Sequence, residues 1–229
     1  TVPEISSEIV QRTTASISET RVDVHLRLPS YRDPSYVPLS LWAELLNDDA
    51  FSPLIRKLTK GENAPATRVS VAMETQEEFS AYRITAATDD PTKADAIMTD
   101  ILSTVRALSA ISVTNADIQL IATRLRVDAI FLREKLHYYA IMKAPMLAVT
   151  GFDFVDQLPS RIDKCTPSQL QKVASQNLKA TSYVATIVIP EDTTQVAATG
   201  TNSASRTEYL KRTLSNGMPV VIKSNPDSR

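Results

Sequence analysis

Strict alternation of apolar and polar residues predicts the strands of this chain. In residues 20–28, TRVDVHLRL, valines and leucines occupy one face. The other face of that strand carries only polar side chains, Arg21, Asp23, His25 and Arg27. Three further segments alternate in the same way, residues 67–75, 78–88 and 182–190. The first two of these three are separated by a short polar stretch, which predicts an antiparallel hairpin.

Apolar residues recur at helical spacing between the strands. The predicted helices cover residues 33–48, 52–58, 90–110, 168–179 and a longest element that begins at 114 and ends near Pro145 and Gly151. A short segment, residues 152–163, connects the longest helix to the last one. Thr166 followed by Pro167 and Gln169 is a capping box with proline at the first helical position, which fixes the start of the last helix.

The order of these elements predicts an α+β fold, a mostly antiparallel β-sheet with helices packed on one face. Residues 1–192 are predicted to form this domain. After Pro190 the sequence is rich in Thr, Ser, Ala and Asn and has no apolar period, so residues 193–206 are predicted to be a flexible linker. Residues 207–229 place an Asn-Gly turn between two apolar arms, which predicts the opening β-hairpin of a next, truncated domain.

Composition argues against several classes of function. The 25 Lys+Arg and 26 Asp+Glu residues nearly balance, which gives no basic field for nucleic acid. No apolar run is long enough to predict a membrane span. The single cysteine, Cys165, excludes an internal disulfide framework and a multi-thiolate metal site.

Candidate metal chemistry rests on two histidines, His25 and His137. Glu134 and His137 have the E-x-x-H spacing of some metal sites on helices, but a catalytic zinc normally takes three protein ligands. A solvated helix flank is the favoured interpretation. His25 reads as a half-exposed sheet position, with a functional role only if the polar strand face lines a cavity. The residues alone therefore predict a non-catalytic module with no metal site.

Two local sequences, together with the order of elements, resemble the pitrilysin/insulysin family of inverted zincins, which includes the mitochondrial processing peptidases. They are EYLKRTLSNGMPVVIKSNPDS, residues 208–228, and LWAELLNDDAFSPLIRKL, residues 41–58. The resemblance extends over nearly the whole chain. It implies a clamshell of two hinged halves, each with two homologous α+β domains. This chain would then be the second domain of a first half, the hinge, and the start of the second half.

Family catalysis uses H-x-x-E-H on the helix after the first strand, where two histidines bind zinc and the glutamate activates water. The corresponding helix here, VPLSLWAELL, contains no histidine. The resemblance thus implies a catalytically silent domain of a zinc metalloendopeptidase, with zinc in the preceding domain of the parent chain. The implied partners are the other parent domains and a peptide or unfolded protein substrate, which this domain helps to enclose in a chamber.

Two alternatives stay open. The domain could belong to a catalytically inactive family member that acts as an assembly or scaffold subunit, or it could be an independent α+β binding module. An H-x-x-E-H motif in the preceding domain would favour the peptidase. Many bacterial relatives are periplasmic, which slightly favours an extracytoplasmic location.

The resemblance also gives candidate substrate-binding residues. In the family an arginine and a tyrosine seven residues apart hold the substrate; Arg56 stands at the arginine position, but the tyrosine position is Asn63. The polar strand face adds Arg21, His25 and Arg27. A peptide could face these side chains and add to an exposed strand edge by backbone hydrogen bonding.

Overall fold

The computed structural model describes residues 8–179, 182–191, 209–213 and 219–223. The chain divides into two compact units, Thr1–Glu191 and Asp192–Arg229.

The first unit is built on a five-stranded sheet. Its strands are β1 (Ile9–Ala15), β2 (Thr20–Leu28), β3 (Arg68–Thr75), β4 (Ser80–Thr88) and β5 (Tyr183–Pro190). Their order in the sheet is β1-β5-β2-β4-β3, with a parallel β1–β5 pair and three antiparallel pairs. The prediction of a mostly antiparallel sheet is confirmed, and β1 and β3 are its edge strands.

Seven α-helices lie among the described residues of this unit. They are α1 (Tyr36–Leu46), α2 (Pro53–Thr59), α3 (Ala94–Arg106), α4 (Asn115–Glu134), α5 (Leu136–Thr150), α6 (Phe152–Asp163) and α7 (Pro167–Asn177). The capping box predicted at Thr166 is present, and a second one at Thr114 opens α4. Both satisfy backbone N–H groups that a helix start leaves without intrahelical partners.

One face of the sheet and the helices share a single apolar core. The alternating residues of β2, such as Val22 and Val24, are fully buried in one apolar cluster with Leu39 and Trp42 of α1. The Trp42 indole N–H donates to the carbonyl of Leu170 at 2.9 Å, which ties α1 to α7. The helices thus gather on one face of the sheet, and the predicted α+β fold is confirmed.

Three elements differ from the sequence prediction. Strand β1 was not predicted, because almost all of its residues are exposed and no buried face alternates with a solvated one. The predicted longest helix is two helices, since Lys135 leaves helical geometry at φ −117° and ψ 75°. Residues 152–163 form α6, although Pro159 lies inside it.

The second unit contains one antiparallel strand pair among its described residues. β6 (Tyr209–Thr213) pairs with β7 (Pro219–Lys223), with Tyr209 opposite Lys223. The predicted Asn-Gly turn and the predicted linker, residues 193–206, lie outside the described residues. The domain boundaries therefore stay predictions.

Candidate functional site

The polar face of β2 lies on the side of the sheet away from the shared core. Asp23 is its most buried member, at 8% exposed. Arg21 contacts both oxygens of this carboxylate, with Nε 2.7 Å from Oδ2 and Nη2 3.0 Å from Oδ1. The Thr85 hydroxyl donates to Oδ1 at 2.5 Å from the neighbouring β4. The carboxylate is thus satisfied within the sheet, and it holds the Arg21 guanidinium in place.

The other two candidates on this face are partly buried. His25 stands between Arg83 of β4 and Val184 of β5 in the sheet register. The Arg27 guanidinium carbon lies 5.1 Å from the centre of the Phe79 ring, in cation–π geometry. The face therefore presents positioned cationic and hydrogen-bonding groups to whatever lies against it.

Arg56 lies apart from these three residues. It is exposed on α2, whose buried residues belong to the core on the opposite face of the sheet. Its Nη1 donates to the Ala50 carbonyl at 3.3 Å, beside a cavity of about 280 Å³ that Asp48 and Asp117 also line. The structure thus brings Arg21, His25 and Arg27 onto one surface and places Arg56 on another. Substrate binding by the four stays a prediction.

A larger cavity, which sequence reasoning missed, runs along the edge strand β3. Its volume is about 600 Å³, and its lining comes from β3, α1 and α5, with further residues of α4 and α6. The methionines Met73, Met142 and Met146 supply much of the apolar lining, and Glu44, Glu74 and Lys143 supply charge. We call this cavity the β3 groove.

Main-chain groups of β3 point toward the groove side. The Asn47 side chain accepts from the Val71 N–H at 2.9 Å and donates to the Val71 carbonyl at 2.6 Å. These Val71 groups therefore face away from β4, and in an antiparallel ladder the same orientation recurs at every second residue. Met73 and Thr75 consequently direct their N–H and C=O groups to the same side as Val71. Asn47 thus occupies the edge of β3 at Val71. Beyond Val71, the outward groups of Met73 and Thr75 can pair with a ligand.

The end of the groove is fixed by a side-chain contact. The Tyr36 hydroxyl and Thr75 Oγ1 are 2.7 Å apart. Burial raises the pKa of Tyr36, and this hydrogen bond opposes the increase only in part. Tyr36 is therefore a neutral wall of the groove at physiological pH, with a hydroxyl already committed to the strand end.

The described residues at the end of α1 do not fit a zinc ion. Helix α1 follows β2 and carries Glu44, whose Oε2 lies 3.3 Å from Arg124 Nη2; Arg124 Nη1 lies 3.3 Å from Asp48 Oδ2. A guanidinium from α4 thus neutralises the acidic end of this helix. Within the described residues, no cluster of three or more His, Cys, Asp or Glu side chains could hold a metal ion.

The E-x-x-H pair also loses its geometric basis. Glu134 ends α4, whereas His137 lies in α5 beyond the non-helical Lys135, so the two residues do not share one helix. The His137 ring packs beside Tyr138 with centroids 4.4 Å apart. Glu134 and His137 are both exposed.

None of the helices in the described part of the chain is both long and apolar enough to cross a membrane.

Comparison with known proteins supports the fold through structures alone. No profile of a known protein family matches the chain. No curated protein sequence matches it either. Solved structures do match, and several of them are longer than this chain. A protease from Helicobacter pylori shares 18% identity at a TM-score of 0.69, over 82% of this chain and 46% of that one. A peptidase M16 inactive domain from Pseudomonas fluorescens shares 10% identity at 0.62, over 81% and 44%.

A third match is close to this domain in length. It is described as the inactive peptidase domain of a candidate zinc protease from Bordetella parapertussis, with 15% identity and a TM-score of 0.66, over 82% of this chain and 99% of that one. The chain thus spans less than half the length of the Helicobacter and Pseudomonas structures. The fold implied by the sequence resemblance is confirmed: this chain has the α+β fold of M16 peptidase domains, including domains described as inactive.

Proposed function

We propose that this chain is a catalytically silent domain of a zinc metallopeptidase, and that it holds peptide substrates in an extended conformation. The observation that carries the proposal is the β3 groove, a cavity of about 600 Å³ that runs beside the edge of a sheet. Fold likeness to inactive M16 peptidase domains supports the catalytic silence. The absence of histidine from α1 and the pairing of Glu44 with Arg124 support it further.

The groove suits an extended peptide. Edge strands bind peptides by main-chain pairing, which gives affinity without requiring a particular sequence. Beyond Asn47, the outward groups of Met73 and Thr75 offer pairing for about four peptide residues at roughly 3.4 Å each. Met142 and Met146 line the same cavity. Their flexible thioether chains adapt to different apolar side chains, as peptidase substrates of varied sequence require.

The polar face of β2 is the second part of the proposal. Arg21, His25 and Arg27 would form a wall of the substrate chamber, where they contact polar or acidic substrate side chains. Replacing all three by alanine should slow proteolysis by the parent chain while its zinc content stays unchanged. Proteolysis at the wild-type rate would count against this role. Arg56→Ala tests the separate surface of α2 in the same assay.

A matched pair of variants tests the groove in the 229-residue chain. Met142 and Ile141 are adjacent in α5 and similarly exposed, at 65% and 69%, but only Met142 lines the groove. Met142→Asp should weaken binding of a fluorescent unstructured peptide by about tenfold, the effect of ~1.4 kcal/mol. Ile141→Asp should leave anisotropy titrations unchanged. Equal losses in both variants, or none in either, would contradict binding in the groove.

The zinc part of the proposal has its own test. We expect the parent chain to contain H-x-x-E-H in the preceding domain and to bind zinc there, while the 229-residue chain cleaves no peptide. A parent without the motif would favour the assembly or scaffold subunit. The peptide-binding result for the groove would still stand in that case.

A further inference from the structure

Large apolar side chains are exposed together on α4 and α5. Val127, Ile130, Phe131, Tyr138 and Ile141 are each between 43% and 69% exposed. We call these five residues, none of which lines the β3 groove, the α4–α5 patch. Among the side chains of α5 that the structure describes, none belongs to the buried core. A 15-residue helix whose described side chains are at most partly buried is marginal in water, because helices in proteins gain most of their stability from packing.

The patch is continuous. Val127 is followed by Phe131 at i+4, and Tyr138 by Ile141 at i+3, so each helix presents neighbouring apolar side chains on one face. Phe131 and Tyr138 line one cavity of about 660 Å³, which joins the end of α4 to the start of α5. Both helices therefore contribute to a single apolar surface.

The size of the patch matches a protein interface. Five large side chains that are about half exposed offer several hundred Å² of apolar surface, a large part of the ~800 Å² that one partner buries in an interface of standard size. This lies in the range of ~300–600 Å² of the largest patch on a typical monomer, which is often functional. Acidic Asp128 and Glu44 share the cavity with Lys135 and Lys143, a mixed charge that is unsuited to an anionic membrane surface.

We propose that a neighbouring domain of the same parent chain packs against the α4–α5 patch through an apolar helical face. The inference rests on the proposed function, in which this chain is one domain of a longer peptidase. The chain spans 46% of the Helicobacter structure and 44% of the Pseudomonas one, so proteins of this fold reach about twice the present length. A tethered domain has an effective concentration in the millimolar range, which favours it over a free second copy.

Thiol labelling tests the occupant. In a Cys165→Ala background, which removes the sole cysteine of the 229-residue chain, Ile141→Cys gives one thiol within the patch. Gln171→Cys places the control thiol on the exposed surface of α7. In the 229-residue chain both thiols should react with a maleimide at similar rates. In the parent chain the Ile141→Cys thiol should react at least about tenfold more slowly, because an interface that is closed by ~1.4 kcal/mol exposes the thiol only about a tenth of the time. The control thiol should keep its rate.

Other occupants give different results. Equal Ile141→Cys rates in both chains would overturn the proposal. Protection already present in the 229-residue chain, together with a dimer mass by light scattering, would assign the patch to a second copy and also overturn it. Protection of the Ile141→Cys thiol that appears only with phosphatidylserine vesicles would assign the patch to a membrane surface and also overturn the proposal. Ile130→Cys repeats the test if circular dichroism shows that the first variant misfolds. Peptide binding by the 229-residue chain is measured separately, so failure of this interface leaves the groove result intact.

Discussion

Asn47 offers the sharpest local test of how the edge of β3 is organised. It is the C-cap residue of α1, and its side chain makes three hydrogen bonds. The Oδ1 atom accepts from the Val71 N–H at 2.9 Å; Nδ2 donates to the carbonyls of Val71 at 2.6 Å and Ala43 at 3.0 Å. The amide thus takes the place of a neighbouring strand at one position. Asn47→Ala removes all three bonds.

The expected loss of stability follows from the two bonds to the strand. Each intramolecular hydrogen bond contributes about 0.5–1.5 kcal/mol net, so Asn47→Ala should lower the free energy of unfolding by roughly 1–3 kcal/mol. The same change frees the Val71 N–H and C=O for a ligand. Peptide binding in the β3 groove should therefore tighten by about fivefold, the equivalent of ~1 kcal/mol. A variant that is less stable yet binds peptide better is an unusual combination, and it follows only if Asn47 blocks the edge.

Urea unfolding followed by the fluorescence of Trp42, the only tryptophan, measures the stability change. Hydrogen exchange of the Val71 amide gives the local effect, since that N–H should exchange faster in Asn47→Ala. Gln119→Ala, at an exposed position in α4, is the control and should change neither quantity. An unchanged urea midpoint in Asn47→Ala, or unchanged exchange at Val71, would refute the reasoning.

Three further changes test the core and its ion pairs. Burial raises the pKa of Cys165 to about 11, so the thiol loses its proton at lower pH in the unfolded chain than in the folded one. Stability should therefore fall as the pH rises from about 9 to 11, and Cys165→Ala should reduce that fall in urea midpoints. Arg124→Met removes the two partly exposed ion pairs with Glu44 and Asp48, and it should cost about 1 kcal/mol at low salt and less in 1 M NaCl, as urea unfolding will show. Trp42→Phe removes the indole hydrogen bond to the Leu170 carbonyl and leaves a void in the core, and it should cost roughly 2–3 kcal/mol in unfolding followed by circular dichroism.

Sequence patterns predicted the elements that bury one face. Strand β2 alternates because Val22 and Val24 enter the core while Arg21 and His25 remain on the polar face. The start of α7 was predictable because the Thr166 capping box is a local signal that needs no tertiary information. These local signals were sufficient to predict the α+β fold.

Features that depend on tertiary pairing were not predictable. The residues of β1 are almost all exposed, so the strand is identified only by its pairing with β5. The apolar period continues through Lys135, which concealed the break between α4 and α5. The edge position of β3 follows from the order of strands in the sheet, and with it the groove beside Met73. For the same reason, the sequence could not show that Arg56 lies on a different surface from Arg21.

The central claim, that a peptide pairs as a strand with the edge of β3, is tested most directly with N-methylated peptides. In an added strand, alternate amides face the edge and the remaining amides face away. Two versions of one binding peptide are prepared, one methylated on odd-numbered and the other on even-numbered amides. Anisotropy titrations with the 229-residue chain should show that one version loses about tenfold or more in affinity, which corresponds to ~1.4 kcal/mol of binding free energy. The other version should bind like the unmethylated peptide. Equal affinity of the two versions would contradict strand addition at this edge.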